Sequence, residues 1–243
     1  MTRKKRKKKR RLKIKNIIIF LIVILLFFGG SYYVIMMPVK NIYIMGNNIL
    51  ADEVIIEEAH LDKYPSFLLI SSSKVKDNIK KNKFVNQVII KKKLGNVLEI
   101  KVDEYVCIAV KDMGNKVMLS NGEMVDNAYN ISDVAILNND IPDNKRVDFA
   151  NKFSKVNKDI LRQISQIEYS PVKVDDERFL LYMDDGNIVF VTLTKINKLN
   201  KYNKIKGKLG GKIGIIYLDS GDYVEFKDNK AVVNENTEEK KEN

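Results

Sequence analysis

The chain contains no tryptophan, four prolines, a single cysteine (Cys107) and a single histidine (His60). One cysteine rules out an intramolecular disulfide, so an exported part must be held by an apolar core alone. One cysteine and one histidine cannot build a Cys/His zinc site, so no metal or cofactor is expected. Acidic residues are missing altogether from residues 1–15, which carry eleven Lys or Arg. Subtracting those eleven from the total of 43 leaves 32 basic residues against 31 acidic ones, so the strong positive charge is local. The remainder is close to neutral, which argues against a phosphate-tracking surface and against nucleic acid as a partner.

Charge of either sign is missing from residues 16–39. At about 1.5 Å per residue, these 24 residues would reach roughly 36 Å as a helix, enough for a hydrocarbon core of about 30 Å. Tyr32 and Tyr33 stand where an interfacial aromatic anchor belongs, and Pro38 stops the helix. The run is longer than a signal-peptide core, and no small-x-small cleavage site follows it, so a retained anchor is expected. The basic run before it places the N-terminus in the cytoplasm and the C-terminus outside, and can also contact anionic lipid heads.

The chain as a whole is 45% hydrophobic, and the part after the apolar run reads as globular structure. Residues 39–44 alternate as a strand, and Gly46, Asn47 and Asn48 end it. Asp52 is the expected cap of a short helix reaching about His60, and Ser71–Ser73 cap a second helix carrying Val75 and Ile79. Residues 85–92 and 97–102 read as a hairpin, with Leu98, Ile100 and Val102 on one face. Beyond Tyr105, short strands are predicted at 106–110, 116–119 and 123–125. Phe149, Phe153, Val156, Ile160, Ile164 and Ile167 recur every three or four residues and predict an amphipathic helix with a break near Asn157. Residues 179–183 and 188–193 flank a hairpin turn, Ile196, Leu199, Tyr202 and Ile205 mark a further helix, and 213–218 with 223–226 form a last hairpin. The segment from 234 has no apolar residues and is expected to be disordered.

Four stretches resemble a known family. VKNIYIMGNN (residues 39–48) is similar to the opening strand, and FLLISSSKVKDNIKKNKFV (67–85) to the second helix, of the POTRA domain of the bacterial division proteins FtsQ and DivIB. VIIKKKLGNVLEIKVDEYVCIAV (88–110) resembles that family's hairpin, with Ile100, Val102 and Glu104 at its Ile-x-Val-x-Glu positions. KVMLSNGEMVDN (116–127) resembles the strand–turn–strand unit that opens the second domain. Gly95 stands where the family usually has proline, and Ile141-Pro142 only loosely echoes its Leu-Pro element.

The resemblance implies an α+β protein. Its expected parts are a basic cytoplasmic tail (1–15), a transmembrane helix (16–38), a POTRA domain of order βααββ (39–104), a mixed β domain with two helices (105–232) and a disordered tail (233–243). It implies a non-enzymatic scaffold of the divisome, at the division septum. Such a scaffold binds FtsL and DivIC/FtsB-like bitopic coiled-coil proteins and, through them, the septal penicillin-binding protein. The family adds a partner strand to the edge of its C-terminal sheet, where backbone hydrogen bonds supply affinity. By position, Tyr217, Leu218, Ser220, Tyr223 and Phe226 are the candidate contacts; the bland alternative is that these aromatics only cover the sheet.

The competing class is a membrane-anchored surface enzyme such as a sortase-like hydrolase. Residues 191–194 faintly echo the strand before a sortase nucleophile, but Lys195 and Ile196 follow instead of cysteine. Cys107 lies in an apolar strand, where a thiol is usually inert, and His60 closes a short helix. The pairs Asp175-Asp176 and Asp184-Asp185 fall at turns, where aspartate serves local hydrogen bonding, so no catalytic residue is assigned. Gly207, Gly210, Gly211 and Gly214 precede a strand and lack the context of a phosphate-binding loop. An outer-membrane assembly module would continue into a barrel of many strands, a pattern not seen in this sequence.

Overall fold

The computed structural model describes residues 14–226. Most of the expected basic tail and all of the expected C-terminal tail lie outside them. Helix α1 (Ile14–Ile35) has a mean hydropathy of 2.6 over its most apolar window and no buried residue, and is long and apolar enough to cross a membrane. It ends before Pro38, with Tyr32 and Tyr33 in its last turns. The chain then divides into two compact units, with the break between Glu104 and Tyr105.

In the first unit the order is β1 (Asn41–Met45), α2 (Asp52–Glu58), α3 (Ser72–Ile79), β2 (Val85–Lys93) and β3 (Val97–Glu104). This is the expected strand–helix–helix–strand–strand series. The sheet order is β1-β3-β2, with β1 parallel and β2 antiparallel to β3. Leu98, Ile100 and Val102 alternate inward and are buried together with Ile55, Val75 and Ile79 from the two helices. One cap differs from expectation. Ala51, with no side-chain bond, is the N-cap of α2, and Asp52 is its first helical residue. There Asp52 accepts a hydrogen bond from Asn47 Nδ2 at 2.8 Å and still favours the positive helix end. Ser71 caps α3 as expected, accepting from the Lys74 N–H.

The second unit runs β4 (Cys107–Lys111), β5 (Lys116–Leu119), β6 (Met124–Asp126), β7 (Ala135–Leu137), α4 (Asp143–Phe153), α5 (Lys158–Leu161), β8 (Ile164–Tyr169), β9 (Arg178–Met183) and β10 (Ile188–Thr192). A 3₁₀ helix (Leu193–Lys201) leads into α6 (Tyr202–Lys208), and β11 (Gly214–Tyr217) and β12 (Tyr223–Phe226) close the series. One nine-stranded sheet results, in the order β12-β11-β10-β9-β8-β7-β4-β5-β6. The helical segments cover one face. Phe149 of α4 stacks on Phe179 of β9 at 4.5 Å and on Phe153 at 4.9 Å, and Leu199 and Tyr202 are fully buried beside them.

The expected long helix is cut short. Ile164 and Ile167 belong to β8, although their spacing of three continues the helical pattern. The cause is a register shift between Ile164 and Gln166: Ile164 faces Met183 and Ile167 faces Leu181, so both point into the core. A bulge thus gives a strand the inward spacing of a helix. Strand β7 has three residues and no sequence signal of its own, yet it joins β4 to β8, parallel to both.

Candidate partner-binding edge

Strand β11 pairs in parallel with β10 and antiparallel with β12. Among the described residues β12 has no neighbour on its other side, so one row of backbone groups is left for another strand. The opposite edge, β6, is only three residues long and carries the Lys116–Asp126 ion pair of 2.5 Å. Short, charged edges resist strand addition.

The expected contact residues divide by direction. Tyr217 and Tyr223 are directly paired and share the face away from the helices, with ring centroids 4.5 Å apart. Tyr217 also stacks on Phe190 of β10 at 5.2 Å, and the Arg178 guanidinium of β9 lies 3.8 Å from the Phe190 ring. One ladder therefore crosses four neighbouring strands and ends at the free edge, where Tyr223 is 45% exposed. Arg178 is fixed by a half-buried ion pair with Asp219 at 2.8 Å. Tyr217 donates to Glu225 at 3.2 Å; burial first, then this carboxylate, raises its pKa. Phe226, three residues beyond Tyr223, points to the opposite face and is 54% exposed, with Lys212 over its ring. Ser220 is exposed in the β11–β12 turn and donates to Asp219 at 3.1 Å. Leu218 is 3% exposed, belongs to the core, and its N–H donates to the Phe190 carbonyl at 2.8 Å. Leu218 thus holds β11 in place, and its side chain lines the inner wall of the groove beside the edge.

A groove that the sequence reading did not single out lies on the helix side of the same edge. It encloses about 270 Å³ between α6 with its preceding 3₁₀ helix and the β11–β12 pair. Ile205, Ile216 and Val224 form an apolar floor, and Lys201, Lys204 and Lys208 stand along its rim. Lys198 at the same rim is held by Asp222 at 2.5 Å, which lowers the pKa of that carboxyl. The signal was present as lysines spaced by three, three and four. Residues i and i+3 eclipse in a 3₁₀ helix, and i and i+4 share a face in an α-helix, so all four lysines fall on one side.

The edge is positioned by a buried polar cluster. Asn187, in the β9–β10 turn, accepts from the Gly214 N–H at 2.9 Å and donates to Asp185 and to the Tyr202 hydroxyl. Tyr202 donates to Asp185 at 2.8 Å, and Lys206 of α6 pairs with the same carboxylate at 2.9 Å. Burial drives the Tyr202 phenol far above its ordinary pKa. For Asp185 burial pushes upward, but Lys206 and Tyr202 prevail and hold the carboxyl low. The start of β11 is thereby tied to a turn and a helix at once.

The residues considered for catalysis have structural work here. Asp185 belongs to the cluster above, Asp175 accepts from the Glu177 N–H and from Thr192, and Asp176 pairs with Lys145. Cys107 is half-buried in β4. His60 follows α2 with a left-handed backbone, φ 56°. Among the described residues, no group of three or more His, Cys, Asp or Glu could hold a metal ion.

Residues 37–105 match the model of the FtsQ-type POTRA domain. The chain is 31% identical over 205 residues to the cell division protein DivIB of Bacillus subtilis strain 168, covering 81% of this chain and 78% of that protein. It is 27% identical over 206 residues to DivIB of Bacillus anthracis, covering 80% and 78%. Among solved structures, the major extracytoplasmic domain of DivIB from Geobacillus stearothermophilus, in its trans isomer, matches at 22% identity with a TM-score of 0.37, covering 44% of this chain and 96% of that one.

Proposed function

We propose, because this chain belongs to the DivIB family of cell division proteins, that it is a membrane-anchored scaffold of the divisome. Helix α1 fixes it in the membrane with the basic N-terminal tail in the cytoplasm and both compact units outside, at the septum. Through the second unit it binds FtsL and DivIC/FtsB-like bitopic coiled-coil proteins, and through them it regulates the septal penicillin-binding protein.

The observation that carries this reading is the β12 edge, open among the described residues, at which an aromatic ladder and a lysine-rimmed apolar groove meet. A partner strand beside β12 satisfies the open backbone row. Acidic and apolar residues flanking that strand are complementary to the groove, with charge setting orientation more than raw affinity. Tyr217, Tyr223 and Phe226 contact the partner through their side chains, and Ser220 through the turn.

The test is co-purification of FtsL- and DivIC-type proteins from membranes with three tagged full-length baits. These are the unaltered chain, the variant Lys201→Glu/Lys204→Glu/Lys208→Glu, and a chain ended after Gly221. The last lacks β12 but retains β11 and the core contacts of Ile216 and Leu218. The charge reversal is expected to weaken capture about tenfold, and removal of β12 to abolish it. Capture that survives loss of β12 moves the site elsewhere. Failure of the unaltered chain to capture either protein removes the scaffold reading itself.

A further inference from the structure

The connection between helix and first unit is short and heavily bonded. Five residues separate Ile35 of α1 from Asn41 of β1. Within them, Met37 accepts from the Phe67 N–H at 2.9 Å, the Val39 N–H donates to Pro65 at 3.1 Å, and Pro38 accepts from Asn96 Nδ2 at 3.1 Å. Ser66 Oγ donates to the carbonyl of Ile35 in the helix itself, and the Lys40 N–H donates to Asn96 at 2.9 Å. Two segments distant in sequence, the α2–α3 loop and the β2–β3 turn, are thus fastened where α1 ends. Lys92 ties them to each other, donating to the Phe67 carbonyl at 2.8 Å.

Those two segments carry the most exposed leucines of the unit, while Tyr43, Met45 and Ile89 are exposed on the strands. Leu94, at the tip of the β2–β3 turn, is 99% exposed, and Leu69 is 66% exposed. Leu68 and Tyr64 are each more than half exposed. Tyr64 has a left-handed backbone, φ 44°, a conformation a bulky residue seldom adopts. Single exposed apolar residues are ordinary, but several gathered in two segments at one end mark a contact surface. Exposed Lys63, Lys91 and Lys93 border them; Asp62 neighbours Lys63, and Glu99 pairs with Lys93.

We propose that this end of the first unit is seated in the bilayer. Tyr64, Leu68, Leu69 and Leu94 enter the interfacial layer of the leaflet from which α1 emerges, and the bordering lysines lie against anionic headgroups. The occupant is lipid because the surface is continuous, through at least four hydrogen bonds, with the end of the membrane-crossing helix. Leucine, tyrosine and lysine together also form the composition that suits that layer. The docking fixes the tilt of the unit on its anchor. It rests on the reading of α1 as a membrane span.

The test uses the full chain with Cys107→Ser, one copy per nanodisc, in bilayers containing phosphatidylglycerol. Single cysteines replace Leu69, Leu94, Val23 or Lys83 and carry an environment-sensitive fluorophore, read with and without shallow spin-labelled lipid. Val23 lies within α1. Lys83 is exposed just before β2, about 27 Å along that strand from the turn at about 3.4 Å per residue. Labels at 69 and 94 are expected to be quenched at least about twofold, as groups in the headgroup layer should be, with Lys83→Cys unaffected. If Val23→Cys emits as a probe buried in lipid while 69 and 94 stay unquenched like 83, the docking is wrong and the anchor stands. If Val23→Cys emits as a probe in water, the membrane reading of α1 fails with it.

Discussion

Glu104 illustrates how one side chain can close a loop across the first unit. Its Oε2 accepts from the N–H groups of Asn48 and Ile49, both at 2.8 Å, and its Oε1 from that of Leu50 at 2.9 Å. Three consecutive backbone donors ahead of α2 therefore share one carboxylate, and Leu50 is itself in the core. Gly46 serves the same turn: its φ is 88°, and a Cβ would stand 2.3 Å from the Val102 carbonyl oxygen. Replacing Glu104 by alanine strands three donors, two of them partly buried, which should cost about 2 kcal/mol, and Glu104→Gln less, since it keeps one acceptor oxygen. Protease resistance of the first unit under mild denaturant measures this. An alanine variant as resistant as the parent would mean water replaces the carboxylate freely. In the sequence Glu104 was recognisable as a motif position, but its task was not, because its partners lie more than fifty residues earlier.

At the scale of elements, the readable parts were those whose period belongs to one structure. Strand β3 follows its alternation closely, with Leu98, Ile100 and Val102 all inward. The reading failed where the period was borrowed, as in β8, whose bulge imitates a helix, and where an element was too short to have one, as in β7. The site was legible in part for the same reason. The alternation of β11 and β12 could locate an edge, but the sequence could not show that Leu218 turns inward, or that lysines from a 3₁₀ and an α-helix flank one groove. Gly214 looked like one of four glycines before a strand, and its role emerges only in the sheet. A Cβ there would lie 2.8 Å from the Glu225 carbonyl oxygen and 2.9 Å from Val224 Cγ1. Backbone cannot yield as a flexible side chain can, so Gly214→Ala should push β12 off β11. Exchange of those β12 amides that bond β11 is expected to rise at least about tenfold, a loss of roughly 1.4 kcal/mol in local stability, while β9 and β10 keep their protection. Unchanged exchange at those paired amides would show that β12 tolerates the methyl group.

For the whole molecule, the decisive quantity is where charge lies relative to α1. Eleven basic residues precede or open the helix, whereas Lys40 is the one basic residue among positions 36–50. At about 1 kcal/mol for each Lys or Arg near an anionic cytoplasmic surface, the imbalance far exceeds what one opposing lysine can offset. The orientation, and with it the compartment of both compact units, should therefore be set by this charge. Replacing the nine Lys and Arg at positions 3–11 by glutamine should leave each unit folded yet mix the two orientations. The reporter is Met113→Cys in a Cys107→Ser chain, since Met113 is fully exposed in the β4–β5 turn. With the basic run intact, a membrane-impermeant maleimide should label it in unbroken cells. With the run neutralised, a substantial fraction should become reactive only after the membrane is opened. Labelling of the intact-tail chain solely after permeabilisation would reverse the orientation, and a divisome edge built on β12 would then face the wrong side of the membrane.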